Sequence, residues 1–217
     1  MRTLQMEEWF LNFTQFQRTA ITPETVGTVS NPRLEYALNT TFKSVQFSSF
    51  LGGCIVHPIY RIYKLVTRDP AKETTNTTKI IRNASRKLQG RILLAGLAVG
   101  PIIGYLLPYF GGVKEPQLKQ LCYEHRISGD MLVWDRATVT FGFVGWYWKR
   151  FQGMVDGVNL ALAYVIAYHY VIKTKTNVLL TDKFKPEELH KTVEEAEQKT
   201  DYLKGQFKTK DLFVQKS

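Results

Sequence analysis

A chain of 217 residues suits one domain, or one membrane bundle with tails, and its formal net charge of +10 raises two kinds of partner, nucleic acid and anionic lipid. The basic excess lies between apolar runs, and no Lys/Arg motif is interleaved with aromatics on a recognisable nucleic-acid fold, which excludes nucleic acid. The two cysteines, Cys54 and Cys122, belong to no CxxC or Cys/His spacing, so the sequence predicts no metal site, no disulfide framework and no cofactor.

The N-terminal segment, 1 to 44, sets Glu7 and Glu8 against Arg2 and Arg18 and has no uninterrupted apolar core. It matches neither a secretory signal nor an arginine-rich presequence, so internal targeting is expected. Residues 4 to 16, LQMEEWFLNFTQF, place Trp9, Phe13 and Phe16 together on a helix, suited to a membrane interface or to a partner subunit. From Thr19 to Lys43 the Thr, Pro, Gly and Asn content reads as a loop.

An all-α membrane domain with four short transmembrane helices is expected over 45 to 172. The first span, Phe47 to Val66, is interrupted by His57, Pro58, Arg61 and Lys64, the last two near enough to its end to snorkel. His57 reads either as a proton carrier or ligand, or as a hydrogen-bonding partner for a neighbouring helix. The second span, Arg91 to Pro108, carries Gly96, Gly100 and Gly104 on one helical face. In water each such glycine weakens a helix by up to about 1 kcal/mol against alanine, whereas in lipid the bare face admits a second helix to backbone contact. The alternative is a buried core helix of a soluble protein.

The third span, Met131 to Trp148 and continuing to Phe151, opens with Asp135 and Arg136, carries Gly142 and Gly145, and closes on Trp146, Tyr147 and Trp148 followed by Lys149 and Arg150. The fourth, Met154 to Ile172, follows so closely that the two predict a tight antiparallel hairpin. Gly153, Gly157 and Ala161 make a small-residue ridge for close packing. Charge gives the bundle a direction. Lys64 to Arg91 holds eight basic residues against Asp69 and Glu73, while Lys114 to Asp130 is balanced. With Lys149 and Arg150, the basic side faces cytoplasm or matrix, and both tails face outward. Arg82, Arg86, Lys87 and Arg91 are the expected phospholipid headgroup ligands, cardiolipin among them on electrostatic grounds.

Charges at membrane depth are costly, so His57, Asp135, Arg136 and Asp156 read either as structural pairs or as the lining of a hydrophilic groove, with Asp156 in reach of Lys149 and Arg150. The tail, 173 to 217, has ten lysines and eight acids. Within it Leu189, Val193, Ala196, Thr200 and Leu203 form a narrow stripe that fits one partner helix, or else a solvated helix with a weak face. No phosphate loop, HExxH or nucleophile elbow is present, and a non-catalytic protein is expected.

Four short spans, the basic first loop, Gly90 and Arg91 entering the span of Gly96, Gly100 and Gly104, Asp135 before Gly142 and Gly145, and Gly153 and Gly157 leading the last span resemble the mitochondrial inner-membrane protein-translocase family. The resemblance covers roughly residues 45 to 172 and departs at Pro101, at His57 and Pro58, and at Trp146 to Trp148. That family also includes a four-helix accessory membrane subunit of respiratory complex I, and the bulky aromatics and long tail tilt the likeness toward it. The resemblance implies a multi-pass protein of the mitochondrial inner membrane, both termini in the intermembrane space, packed on other membrane subunits of complex I or its supercomplex. A translocase or small transporter subunit is the alternative. Asn12 and Asn39, in N-x-T sequons on the outward side, raise a third setting in the endoplasmic reticulum.

Overall fold

The computed structural model describes residues 7–14, 26–68, 76–176, 190–199 and 201–202, and every regular element among them is helical. In chain order these are α1 (Glu7–Thr14), α2 (Pro32–Phe50), a wide π turn (Leu51–Val56) leading into α3 (His57–Val66), α4 (Thr77–Phe110), α5 (Glu115–Ile127) and α6 (Gly129–Ala167). A second π turn, Tyr168–Ile172, joins α6 to α7 (Lys173–Thr176).

Several boundaries differ from the sequence reading for local reasons. The loop expected through Lys43 gives way to helix at Pro32, because Asn31 Oδ1 accepts from the Leu34 N–H at 3.4 Å and Pro32 takes the first helical position. Helix α4 begins at Thr77, so the basic segment before Arg91 is helical. The balanced loop after Pro108 contains α5, where the Lys114 N–H donates to Gln117 Oε1 at 3.2 Å and a proline sits in the first turn.

Among the described residues two helices, not four, are long and apolar enough to cross a membrane: Thr77–Phe110 and the continuous run Gly129–Ile172. The expected first span is helical, but it is split by the π turn and carries His57, Arg61 and Lys64, which lower its hydropathy. The expected third and fourth spans lie in one run whose helical geometry breaks only at Lys149 (φ −131°, ψ 23°) and Arg150 (φ 55°, ψ −140°).

The chain divides into two compact units. One comprises Met1–Tyr36, Leu107–Leu132 and Asn177–Ser217. Its core is Val26, Val29, Cys122, Tyr123 and Val193, with Leu11, Tyr36 and Ile127 packed against it. Residues 193–199 are helical, and their partner is this chain's own α5. The Tyr123 hydroxyl donates to the His190 carbonyl at 2.8 Å, the Val193 N–H donates to Gln120 Oε1 at 3.0 Å, and Lys119 pairs with Glu197 at 2.9 Å. Val193 and Ala196 are buried there, so the helix that covers their stripe is α5 of the same chain; Leu189, Thr200 and Leu203 lie outside the described residues. Asn12 is buried in this unit, and Asn39 is buried in the other, so neither sequon is presented for glycosylation in the folded chain.

The other unit, Ala37–Leu106 and Val133–Thr176, contains two antiparallel pairings. In the first, the glycine face of α4 lies on α2. A Cβ on Gly104 would come 2.7 Å from Ala37 Cα, one on Gly100 would come 2.6 Å from Thr41 Cα, and one on Gly96 would strike Ser48. As the glycine number falls its partner's number rises, which is the signature of opposed helices. Ser44 closes the contact by donating to the Gly96 carbonyl at 2.8 Å. The second pairing is α6 folded on itself. A Cβ on Gly145 would collide with the Gly153 carbonyl, and one on Gly153 with the Gly145 carbonyl. Gly157 meets the Phe141 backbone in the same way, Gly142 meets Val158, and Ala161 is buried in a cluster with Ala137 and Val165.

Candidate functional site

The glycine contacts leave α2, α4 and the two limbs of α6 close enough for polar side chains to meet inside the unit. Asp135, 1 % exposed, accepts from Lys43 Nζ at 2.8 Å and from Gln46 Nε2 at 2.7 Å, and Gln46 also reaches Thr138 at 3.2 Å. Ser49 donates to Asn159 Oδ1 at 2.6 Å. A carboxylate taken out of water demands such partners, and charge-assisted bonds of this length are the stronger kind. The geometry therefore makes Asp135 one end of a buried pair, and it lines neither of the two cavities described next.

Asp156 is placed differently. It lies 3.5 Å from Arg86 Nη2, both side chains partly exposed, and the expected neighbours Lys149 and Arg150 do not line its cavities. Two cavities adjoin it. The larger, about 490 Å³, is bounded by Asn83, Arg86, Lys87, Arg91 and Leu94 from α4 and by Phe151, Gln152, Val155 and Asp156 from the second limb of α6. On α4, Asn83, Lys87, Arg91 and Leu94 follow one another at spacings of four, four and three, and with Arg86 beside Lys87 they share one helical face. Gly90 falls on the same stripe, where a Cβ would come 2.7 Å from Phe151 Cε1, so the bare backbone seats the ring that floors the cavity.

The smaller cavity, about 340 Å³, is bounded by Gly53, Cys54, His57 and Arg61 from the π turn and α3, by Arg82, Arg86 and Gln89 from α4, and by Asp156 and Asn159. His57 Nδ1 is buried without a hydrogen-bond partner among the described residues. The bare backbone of Gly53 lets Asn159 come close, since a Cβ there would lie 2.6 Å from Asn159 Oδ1.

The structure thus brings together His57, Asp156, Arg82, Arg86, Lys87 and Arg91, and leaves Asp135 in its own network. Arg136 is half-buried and lines neither cavity. Lys43, Gln46, Ser49, Gln89 and Asn159 escaped the sequence reading. Their only signal was polarity within stretches that otherwise form helix contacts. No group of three or more His, Cys, Asp or Glu side chains that could hold a metal occurs among the described residues. Cys54 is exposed and Cys122 buried, and both are free thiols.

The family model described as a protein of unknown function, DUF1757, matches residues 9–168. The chain belongs to the DUF1757 family. No curated protein matches it. The DUF1757 match takes in every residue of both cavities, the Asp135 network and all the glycines of the two antiparallel pairings.

Proposed function

We propose that this chain is a non-catalytic accessory subunit of a mitochondrial respiratory-chain complex, complex I or a supercomplex containing it. It would cross the inner membrane four times, with both termini in the intermembrane space and α2 with α3 supplying the first, more polar crossing. The observation that carries the reading is an inversion of polarity. Only 22 % of the apolar window of α4 and 28 % of that of α6 is buried, with Leu97, Ile102, Tyr105 and Phe143 turned outward, while Lys43, Gln46, Ser49, Asp135 and Asn159 are paired inside. Such an outward face suits lipid and neighbouring membrane subunits.

The glycines of α4 meet this chain's own α2, so attachment to a larger complex falls to the outward apolar faces. Native mass spectrometry of the assembly that co-purifies from detergent-solubilised mitochondrial membranes tests the reading. Respiratory-chain subunits in stoichiometric amount are the expected result, and a free chain or a different set of partners would overturn it.

One observation favours a second reading, an inner-membrane translocase or small transporter subunit: the smaller cavity gathers His57, Arg61, Arg82, Arg86 and Asp156 around one space. Substrate flux or protein import in reconstituted membranes separates the readings. Loss of transport in Asp156→Asn, with assembly intact, would establish the second and sink the first.

A further inference from the structure

The two cavities meet at Arg86 and Asp156, which line both. Around them stand five cations, Arg61, Arg82, Arg86, Lys87 and Arg91, against the one carboxylate. The Arg86 to Asp156 contact is long, at 3.5 Å, and about a third or more of each side chain is exposed, so it neutralises little. Positive charge gathered beside apolar surface calls for an anion. The larger cavity also carries apolar lining, Leu94 on the cationic helix and Phe151 and Val155 on the second limb of α6, and a free inorganic anion has nothing to offer it. The chemistry that satisfies both kinds of lining is a phosphate joined to an acyl chain. Because cationic groups line two adjoining spaces that share one arginine, the fit is to two phosphates held in one molecule.

We infer that the joined cavities bind a phospholipid carrying two phosphodiester groups. One phosphate lies against Lys87 and Arg91 and the other against Arg61 and Arg82, with the Arg86 guanidinium between them and an acyl chain along Phe151 and Val155. Guanidinium groups suit this role because their forked donors match phosphate oxygens. The inference rests on the membrane-embedded reading proposed above and deepens it by naming the lipid class.

The test uses the full chain reconstituted in phosphatidylcholine vesicles containing either cardiolipin or phosphatidylglycerol at matched phosphate content. Insertion is followed by flotation, and retained lipid by native mass spectrometry after detergent extraction. Cardiolipin is expected to be retained in preference to phosphatidylglycerol. Loss of one charge-assisted contact in Arg86→Gln should lower that retention about tenfold. Arg91→Gln gives an independent variant should Arg86→Gln lose helical content by circular dichroism. Lys175→Gln, whose cation lines neither cavity, should leave retention unchanged. Equal retention of the two lipids, or retention unaffected by Arg86→Gln and Arg91→Gln, overturns the inference while leaving insertion, and with it the membrane reading, intact. Displacement of cardiolipin by an equal concentration of glycerol phosphate would show a site for soluble phosphate and overturn the lipid assignment. Failure to float with vesicles of any composition would overturn the membrane reading and this inference together.

Discussion

Arg126 and Glu35 face each other as a fork on a fork: Nε lies 2.7 Å from Oε1 and Nη2 lies 2.7 Å from Oε2, with the two side chains 4 % and 1 % exposed. The arginine's remaining nitrogen donates to the carbonyls of Val26 and Thr28, both at 3.0 Å, so one side chain ties α5, the start of α2 and the segment before it. Removing one member of a buried pair strands the other, a loss of about 3–5 kcal/mol. Glu35→Ala and Arg126→Ala should each lower the unfolding midpoint sharply. Arg126→Ala should cost more, because it also leaves two carbonyls without their donor, and the double variant should cost less than the sum. Chemical denaturation of the four proteins in one detergent checks the ordering.

The Lys43 to Asp135 pair predicts an asymmetry. Asp135 is 1 % exposed while Lys43 is 38 % exposed, so the lysine regains water when its partner is lost and the aspartate does not. Lys43→Met leaves a buried carboxylate with Gln46 as a neutral donor and should destabilise by about 3 kcal/mol or more, against about 1 kcal/mol for Asp135→Asn. Equal losses would show that the two ends are equally solvated.

At Gly100 the neighbour that a side chain would strike is the backbone of Thr41, which cannot rotate away. Gly100→Ala should therefore cost about 1–3 kcal/mol, and Gly100→Leu more. The expected phenotype is faster proteolysis and loss of the folded chain from the membrane, not release of an intact subunit. Recovery of a folded, protease-resistant Gly100→Leu protein would show that α2 can part from α4 without unfolding.

The two thiols should separate in a labelling experiment. Burial, reinforced by the nearby Glu35 charge and partly offset by Arg126, pushes the Cys122 thiol from 9.0 up to about 12. Since only the thiolate reacts, native protein in detergent at pH 7.5 should take one maleimide, at Cys54, and a second only after denaturation. The same shift sets a sign. The folded state holds this proton more tightly than the unfolded state, so the associated stability is full below about pH 9 and is lost as pH rises toward 12. Cys122→Ala should abolish that part of the alkaline sensitivity, read as the change in denaturation midpoint between pH 8 and pH 10.5.

Arg150 turns the α6 hairpin at φ 55°, a region that favours glycine, and its guanidinium lies 5.7 Å from the centroid of the Trp146 ring. Strain of this kind is worth about 1–3 kcal/mol and an exposed cation–π contact about 0.5–1 kcal/mol, so strain decides the sign. Arg150→Gly should raise stability by about 1 kcal/mol after the greater freedom of an unfolded glycine is allowed for. A lower melting temperature would show that the tryptophan contact outweighs the backbone.

What could be read in advance was what repeats locally. Gly96, Gly100 and Gly104 fall every four residues, and Gly142, Gly145, Gly153 and Gly157 bracket a short turn, so close helix contact was legible at both places. The identity of the partner was not. Of the residues that fill the seam, Thr41 sits in the stretch whose composition reads as a loop, while Ser44 and Ser48 lie at the entrance to the first expected span, and nothing local marks these small hydroxyl side chains as the surface a glycine face approaches. Glu35 and Arg126 are 91 positions apart, Lys43 and Asp135 are 92, and no local period records a pairing at that range. The Val193 and Ala196 stripe was visible, but a stripe says only that something covers it. Here the cover is α5, through Gln120 and Tyr123.

The crossing of Gly145 and Gly153 has a consequence for how this chain can change. Each glycine occupies the space that the other's first side-chain carbon would need, and the obstacle on both sides is a carbonyl. Ordinarily a residue that grows can be accommodated by a neighbour that shrinks. Neither partner here has anything left to remove, so no second-site substitution at the crossing can rescue the first, and drift through paired compensation is closed at this point of the hairpin. A chain that accepts a side chain at either position must have moved the two limbs of α6 apart.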